Sequence, residues 1–454
     1  MSVEKSSDVA LRALAAAKAA GADQADTALV ERDSLEARVR GETVDFVKQA
    51  RERTLGIRAL VRGTGGLRSA VTSTSDLAPE AVDRLAAETV ALARATAEDP
   101  TAGLPEGGFA TDGETLDLEL APAEPATPVD ARIDAARRAE AAARACDPRI
   151  ANSEGSQVGS DRSRVVYANS EGFVGSYDTT THSLFSEPIA RANGSMQRDY
   201  WMTVGRRLAS LESPEAVGRH AAERALRRLG ARRVATCEVP VIFDALTAPS
   251  LIRQLAGCLS GYAIYREASF LAGRLGESIA APAVNVIDDG RLPGGLGSRP
   301  FDGEGLPTRR NILVDRGSLA SYQLDSYSAR KLGRESTGNA TRSAGSAPGV
   351  GPTNLWLEPG EGSLDDLIAA TPRGLLVTEL IGMGFNPVTG DYSRGAAGLW
   401  IEDGKIAFPV EEITIAGRFG DMLRDIDAVG AELLWLSRVA APPLRVARMT
   451  VAGA

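Results

Sequence analysis

The sequence predicts an α+β protein: a helix–sheet N-terminal half and a β-rich C-terminal half with a curved or barrel-like antiparallel sheet. Three observations carry this. Before residue 231, alanine-rich helical segments bracket β-patterned runs twice. After it, short apolar runs alternate with glycine-bearing turns, the pattern of a closed or strongly curved antiparallel sheet. The chain has 454 residues, 43% of them hydrophobic, which is enough core for two or three domains.

The elements follow in order. Residues 7–20 read as a helix, capped by Ser6 or Ser7, carried by alanine and ended by Gly21 at the position after the C-cap. Leu35, Ala37 and Val39 alternate with Glu36, Arg38 and Arg40, so a strand there buries one face. Strands at 55–61 and 67–72 flank a glycine turn at 63–66 and form a hairpin. A helix covers 79–97. Residues 98–128 concentrate proline, glycine and acid, and read as a linker. A helix at 129–145 precedes strands near 164–167 and 173–177 and further β sequence to 204. Ser213, Pro214 and Glu215 then open a helix that ends at Gly230. Helix, strands, helix occurs twice, which hints at a duplicated α+β unit without a residue-level repeat.

Beyond 231, residues 239–243 form a short strand, and 248–263 carry Leu251, Ile252, Leu255, Leu259 and Tyr262 at helical spacing. Strands are expected at 311–314, 375–380, 398–401 and 413–415, and a last helix near 422–429. The domain boundaries are therefore 1–97 for an N-terminal α+β domain, 98–128 for the linker, 129–230 for a middle α+β domain and 231–454 for the β-rich domain.

Composition excludes several functions. Net charge is −9 and no Lys/Arg block exceeds a few residues, so no nucleic-acid partner is expected. Cys146, Cys237 and Cys258 are odd in number and far apart, against a disulfide framework or structural zinc. The N-terminus lacks a signal-peptide core, and no segment approaches the roughly 18 apolar residues of a membrane helix. A soluble cytoplasmic protein with no membrane partner is the expectation.

Candidate chemistry is sparse. His182 and His220 are the histidines, and none follows. His182 lies in a polar β run where a lone imidazole lacks a clustered acid or nucleophile, and His220 reads as a surface or boundary residue. Cys258 falls on the apolar stripe and reads as a buried small hydrophobe. Asp288, Asp289, Asp302 and Glu304 could hold a cation through oxygen, but turn chemistry explains DDG and FDGEG better. The glycine-rich run after Ser336 lacks a phosphate-loop lysine, and no G-x-S-x-G occurs, so nucleotide binding is disfavoured and a serine-hydrolase elbow is excluded. That run reads as an ordered loop lining a substrate cavity, or a flap.

The ordered series SFLAGRLGES, FDGEG, SYSARKLG, ESTGNATR, TGDYSRGAAGLWIEDGKI and EEITIAG resembles the C-terminal half of the TldD/PmbA family, once labelled modulators of DNA gyrase. RTLGIRALVRGTGG and NSEGFVGSYDTTTHS extend the resemblance weakly over most of the chain. It is similar to the PmbA (TldE) branch. The TldD branch carries an H-E-x-x-x-H helix where this sequence has SLIRQLAGCLSGYAIYRE. A zinc peptidase needs two imidazoles on one helical face and a glutamate beside them, and Gln254, Cys258 and Tyr262 do not supply that set.

The resemblance implies a non-catalytic subunit. A TldD-like H-E-x-x-x-H partner would hold the zinc, this chain would have no catalytic or metal residues and no cofactor, and the pair would degrade unfolded peptides or trim leader peptides. Asp302, Gly303, Glu304 and Gly305, with Ser336, Thr337, Gly338, Asn339 and Arg342, are the expected peptide-binding or cavity-lining residues. A homodimer of the isolated chain stays open. The rivals are a stand-alone metallopeptidase using the acidic residues, and a regulatory binder of gyrase or of a toxin–antitoxin pair.

Overall fold

The computed structural model describes residues 3–111 and 117–453; Met1, Ser2 and Ala454, at the edges of the first and last expected domains, and 112–116, inside the expected linker, lie outside them. Helix α1 (Val3–Ala19) leads into β1 (Gln24–Arg40), β2 (Thr43–Arg62) and β3 (Leu67–Thr74), and α2 (Pro79–Arg94) closes the first segment. The second contains α3 (Val129–Cys146), β4 (Ile150–Asn169), β5 (Val174–Ala192), β6 (Ser195–Arg198), β7 (Trp201–Gly205) and α4 (Pro214–Leu226). Both segments enter one seven-stranded sheet, ordered β3-β2-β1-β4-β5-β6 with β7 also on β5, and the antiparallel β1–β4 ladder joins them.

The period-two geometry of β1 explains the layering. Ala25 and Leu29 face α1 and α2, where they join Ala10, Ala13, Val82, Ala86, Leu55 and Ile57 in one core. Burying Leu29, Leu55 and Ile57 completely contributes on the order of 5–9 kcal/mol. Asp26 and Ala28 point the other way, and Ala28 packs with Tyr167 and Phe301 of the C-terminal half. The far ends of β1, β4 and β5 bury Val39, Val158 and Leu184 under Ile133 and Ala136 of α3 and Val217 of α4. These two helices approach closely because Gly218 has no side chain: a Cβ there would lie 2.1 Å from the Ala139 carbonyl oxygen.

The C-terminal half runs through β8 (Cys237–Phe243), α5 (Ala248–Leu259), α6 (Gly261–Tyr265), β9 (Val286–Asp289), β10 (Arg310–Asp315), β11 (Ser318–Leu319), α7 (Ser326–Lys331), β12 (Ala340–Thr341), β13 (Gly349–Val350) and β14 (Leu355–Leu357). It continues with α8 (Leu364–Ala369), β15 (Arg373–Ile381), β16 (Asp391–Glu402), β17 (Lys405–Arg418), α9 (Phe419–Arg424), β18 (Ile426–Val429), β19 (Val439–Ala440) and β20 (Leu444–Ala452). Strands β17-β16-β15-β8-β20 pair in sequence, and β20 returns to β17, which closes a five-stranded barrel. The expected barrel is present. One of its ladders, β8 with β15, is parallel, and the others are antiparallel. Beside it lies a smaller sheet, β11-β10-β9-β14-β19. Apolar side chains of both sheets and of α5 share one core.

Several elements differ from the sequence reading. α1 starts at Val3, ahead of the expected serine caps, while Gly21 does take a positive φ of 98°. The expected helix at 248–263 breaks at Ser260, whose ψ of 129° is extended. There the chain bridges to Gln323 and the Gly261 N–H donates to the Gln323 carbonyl, so tertiary pairing overrides the helical period. The last expected helix, near 422–429, is α9 followed by strand β18 on β20. SYSARKLG, where no helix was expected, forms α7, and Asp325 and Ser328 make a reciprocal capping box at its start. The described parts of 98–128 hold no helix or strand, yet they are fastened down: Arg330 donates to the carbonyls of Thr101, Gly103 and Leu104, and Tyr327 donates to Asp99 at 2.7 Å. No helix among the described residues is long and apolar enough to cross a membrane.

Candidate functional site

α5 is amphipathic, and its two faces meet different surroundings. Leu251, Ile252, Leu255, Cys258 and Leu259 are buried in the C-terminal core. Ser250, Arg253 and Gln254 project the other way and border a cleft of about 580 Å³ between the barrel and the end of the first sheet. Tyr200, Arg228, Thr378, Glu379, Met383 and Arg394 form other parts of its wall. Gln254 Oε1, Thr378 Oγ1 and Arg394 Nε find no hydrogen-bond partner among the described residues, so the cleft presents unused polar atoms.

Its charged groups are mostly spoken for. Arg224 bonds Asp199 at 3.2 Å and Asp244 at 3.4 Å. Arg228 meets Glu379 at 2.5 Å, and Arg198 meets Glu187 at 2.8 Å. Burial raises the Asp244 carboxyl above its ordinary range despite Arg224 and Thr247. Burial also lowers Arg227 to about 10. Glu187, Asp199, Asp244 and Glu379 thus each face a guanidinium.

The nine residues expected at a peptide site fall elsewhere, at the junction of the first sheet with the C-terminal half. Asp302 accepts the backbone N–H groups of Glu304 at 2.9 Å, Leu306 at 3.1 Å and Ala340 at 3.1 Å, and this carboxylate builds the FDGEG turn. Gly303 donates its N–H to the Ala340 carbonyl, and Gly305 holds a φ of 83°. Glu304 accepts from Ser326 N–H at 2.8 Å at the start of α7. Ser336 and Thr337 donate to the Leu324 carbonyl, Gly338 N–H meets Ser336, and Asn339 donates to Asp288. Arg342 bonds Asp26 of β1, and the same carboxylate takes Arg58 Nε at 2.7 Å. None of the nine borders the α5 cleft.

Electrostatics at this joint follow from burial. It alone would raise Asp26, but Arg342 and Arg58 overcome it and hold the carboxyl below its usual range. Burial pushes Asp288 up to about 6 in spite of Asn339 and Thr353. Burial, then Asp302 and Asp325 close by, raise Glu304, and burial raises Asp302. Phe301 stands edge-on to Phe173 and Tyr177, each with ring centroids 5.2 Å away, so the polar joint is walled by aromatic contacts.

Three consecutive stretches match domains of one family: residues 25–93 match "PmbA/TldA metallopeptidase domain 1", 122–229 the central domain and 236–453 the C-terminal domain. The chain belongs to the PmbA/TldD family. It is 41% identical over 383 residues to the metalloprotease PmbA of Escherichia coli O157:H7, covering 84% of this chain and 82% of that one. A PmbA homologue from Haemophilus influenzae is 35% identical over 431 residues, with 94% and 92% covered. Among solved structures, a Bacteroides thetaiotaomicron protein described as a candidate modulator of a DNA gyrase superposes with a TM-score of 0.91 at 27% identity over the whole of both chains. TldE from Thermococcus kodakarensis shares the fold, with a TM-score of 0.86 at 24% identity over 98% of this chain and all of that one.

A PmbA/TldD metallopeptidase implies a metal ion, and the donors around α5 do not fit one. The cleft side of the helix offers a hydroxyl, a guanidinium and an amide, which are poor zinc ligands, and the nearby carboxylates are paired with arginines. No group of three or more His, Cys, Asp or Glu among the described residues is placed to hold a metal. Gln254, Cys258 and Tyr262, four apart in sequence, form no ligand set: the first two lie on α5, and Tyr262 lies past the break at Ser260. Gln254 borders the cleft; Cys258 is buried, its thiol pushed by burial to about 12; Tyr262 donates to Asp325 at 3.1 Å. Asp288, Asp289, Asp302 and Glu304 all spend carboxylate oxygens on neighbouring N–H groups.

Sequence reasoning named Gln254 and passed over its surroundings. Ser250, Arg253 and Gln254 were legible as the polar side of an amphipathic helix. Arg228, Thr378, Glu379 and Arg394 come from distant segments and carry no local signal. His220 sits as expected near the surface, 3.3 Å from Glu212 and edge-on to Trp201.

Proposed function

We propose that this chain is the non-catalytic, TldE/PmbA-like subunit of a cytoplasmic TldD/TldE-type zinc metallopeptidase, and that a TldD-like H-E-x-x-x-H subunit supplies the zinc, its ligands and the general base. The substrates are unfolded or leader peptides, held in extended form against the α5 cleft. The observation that carries this reading is the chemistry of the α5 cleft face: in the segment where the TldD branch carries H-E-x-x-x-H, Ser250, Arg253 and Gln254 line the cleft and offer neither an imidazole nor a carboxylate.

Two further features support peptide capture. β6 is terminal in the first sheet, pairs with β5, and brings Arg198 to the cleft, so a peptide strand could extend the sheet there through main-chain hydrogen bonds. The tip of the β15–β16 hairpin exposes Ile381 and Met383, the latter 91% exposed, beside the cleft mouth. The junction residues 302–305 and 336–342 act here by fastening the first sheet to the C-terminal half through Arg342 and Asp26. Mixing the purified chain with a TldD-like subunit and an unfolded peptide tests the reading: cleavage must need both chains and must stop on chelation. Chelator-sensitive cleavage by this chain alone would favour the stand-alone peptidase that the relatives' names suggest.

A further inference from the structure

Among the described residues, helices cover the helix-bearing face of the first sheet in two places. α1 and α2 cover the start of β1 with the ends of β2 and β4, and α3 and α4 cover the other end. Between the two helix pairs the strands turn polar, and residues 121–127, with Arg132 of α3, roof a cavity of about 990 Å³. Its floor includes a cross-strand row in register, Gln49, Leu35, Ser160 and His182.

The structure brings His182 the two partners that its sequence surroundings lack. Ser160 Oγ lies 2.8 Å from Nδ1, and Glu124 Oε2, from the roofing segment, lies 3.4 Å from Nε2. Glu124 is itself positioned by the Leu208 N–H at 2.9 Å. We propose that Ser160, His182 and Glu124 form a second reactive site, nucleophile, base and orienting acid in that order, that takes short-chain carboxylic esters in this cavity.

The chemistry follows from the distances. Burial lowers the His182 pKa, with Glu124 and Asp161 opposing and Arg132 adding to the effect, so the ring is neutral at pH 7. With its proton on Nε2 toward Glu124, the Nδ1 lone pair faces the Ser160 hydroxyl. Ser160 Oγ attacks the ester carbonyl carbon while its proton passes to Nδ1. The C–O bond to the alcohol then breaks, and the alcohol leaves with the proton from His182. Water, deprotonated by the same nitrogen, attacks the acyl-serine; the acid departs and Ser160 recovers its proton. Arg132 borders the same cavity, and its buried Nε has no hydrogen-bond partner among the described residues, which leaves a donor for the developing oxyanion. Leu35, Val129 and Leu208 give the cavity apolar wall for a short acyl chain.

The test is labelling of the full-length chain with a fluorophosphonate probe, in which Oγ displaces fluoride from phosphorus, followed by peptide mapping and p-nitrophenyl acetate hydrolysis. One adduct at Ser160 is expected, absent from S160A, with the labelling rate lowered about 100-fold in H182Q and less in E124Q. Labelling and hydrolysis must be indifferent to chelators, which separates this site from any metallopeptidase activity. Thermal melts of the variants within a few degrees of the parent exclude misfolding; if H182Q melts early, E124Q, which keeps shape and volume, carries the test. No adduct, an adduct elsewhere, or a rate unchanged in the folded variants would overturn the proposal and leave the trio as a fastening of the roofing segment.

Discussion

Asp26 faces two buried guanidiniums, Arg58 from the neighbouring strand and Arg342 from the C-terminal half, and its own side chain is wholly buried. Replacing it with asparagine keeps the volume and removes the charge that both arginines need. Breaking a buried pair by removing one partner costs about 3–5 kcal/mol, and Asp26→Asn belongs at the upper end because two cations are stranded. Arg342→Met removes one cation and leaves Asp26 paired with Arg58, so its cost is the smaller value of a charged hydrogen bond, about 1.5–3 kcal/mol. Urea unfolding at pH 7, followed through the first transition, gives the order parent, Arg342→Met, Asp26→Asn. The pH dependence supplies a second check. The folded-state pKa of Asp26 lies below the ordinary 3.8 of an aspartate, so its contribution is complete above about pH 4 and is lost as pH falls through the folded value. The gap between parent and Asp26→Asn must therefore shrink below pH 4. A loss under about 1 kcal/mol at pH 7, or a gap equal at pH 3 and pH 7, would refute the junction as an energetic link.

Other outcomes follow from single contacts. Asp288 is raised from 3.8 to about 6, so the folded state takes a proton first and this residue adds stability as pH falls from 7 towards 4. Asp288→Asn must abolish that rise, at most about 3 kcal/mol in a denaturant titration against pH. A side chain at Gly56 would collide with the Ala344 carbonyl, 1.4 Å from an added Cβ, so Gly56→Val must cost about 1–3 kcal/mol and loosen the loop around 344 in hydrogen exchange. In thiol titration Cys146, which is exposed, must react in the native protein, and Cys258 only after unfolding. Arg253→Glu must leave the melting temperature within a few degrees yet lower peptide cleavage by the mixed subunits several-fold. Unchanged cleavage would remove the α5 cleft from the peptide path.

The sequence patterns that proved legible were periodic and local. Alternation at 35–40 marked a strand, and the glycine turn at 63–66 marked the β2–β3 hairpin, closed by the Gly63 N–H on the Gly66 carbonyl. Proline and serine at 213–214 marked the start of α4, where Ser213 caps the helix through Ala216 N–H. Where tertiary contacts outweighed local preference, the reading failed. Ser260 leaves the helix for a bridge to Gln323, and the strand at 426–429 is set by pairing with β20. FDGEG and the run after Ser336 were noticed for their glycines and acids, but sequence could not tell a cavity wall from an interior joint. Their partners, Asp26 and Ser326, are remote in the chain or fixed only by folding. The same applies to His182, whose serine and acid come from another strand and from the roofing segment.

The most direct measurement is metal content and peptide turnover of the purified full-length chain, alone and mixed with a TldD-like H-E-x-x-x-H subunit. The account predicts no stoichiometric zinc and no chelator-sensitive cleavage by the chain alone, with zinc and cleavage both appearing with the second subunit. Stoichiometric zinc bound by this chain, with chelator-sensitive cleavage of an unfolded peptide in the absence of any partner, would contradict it.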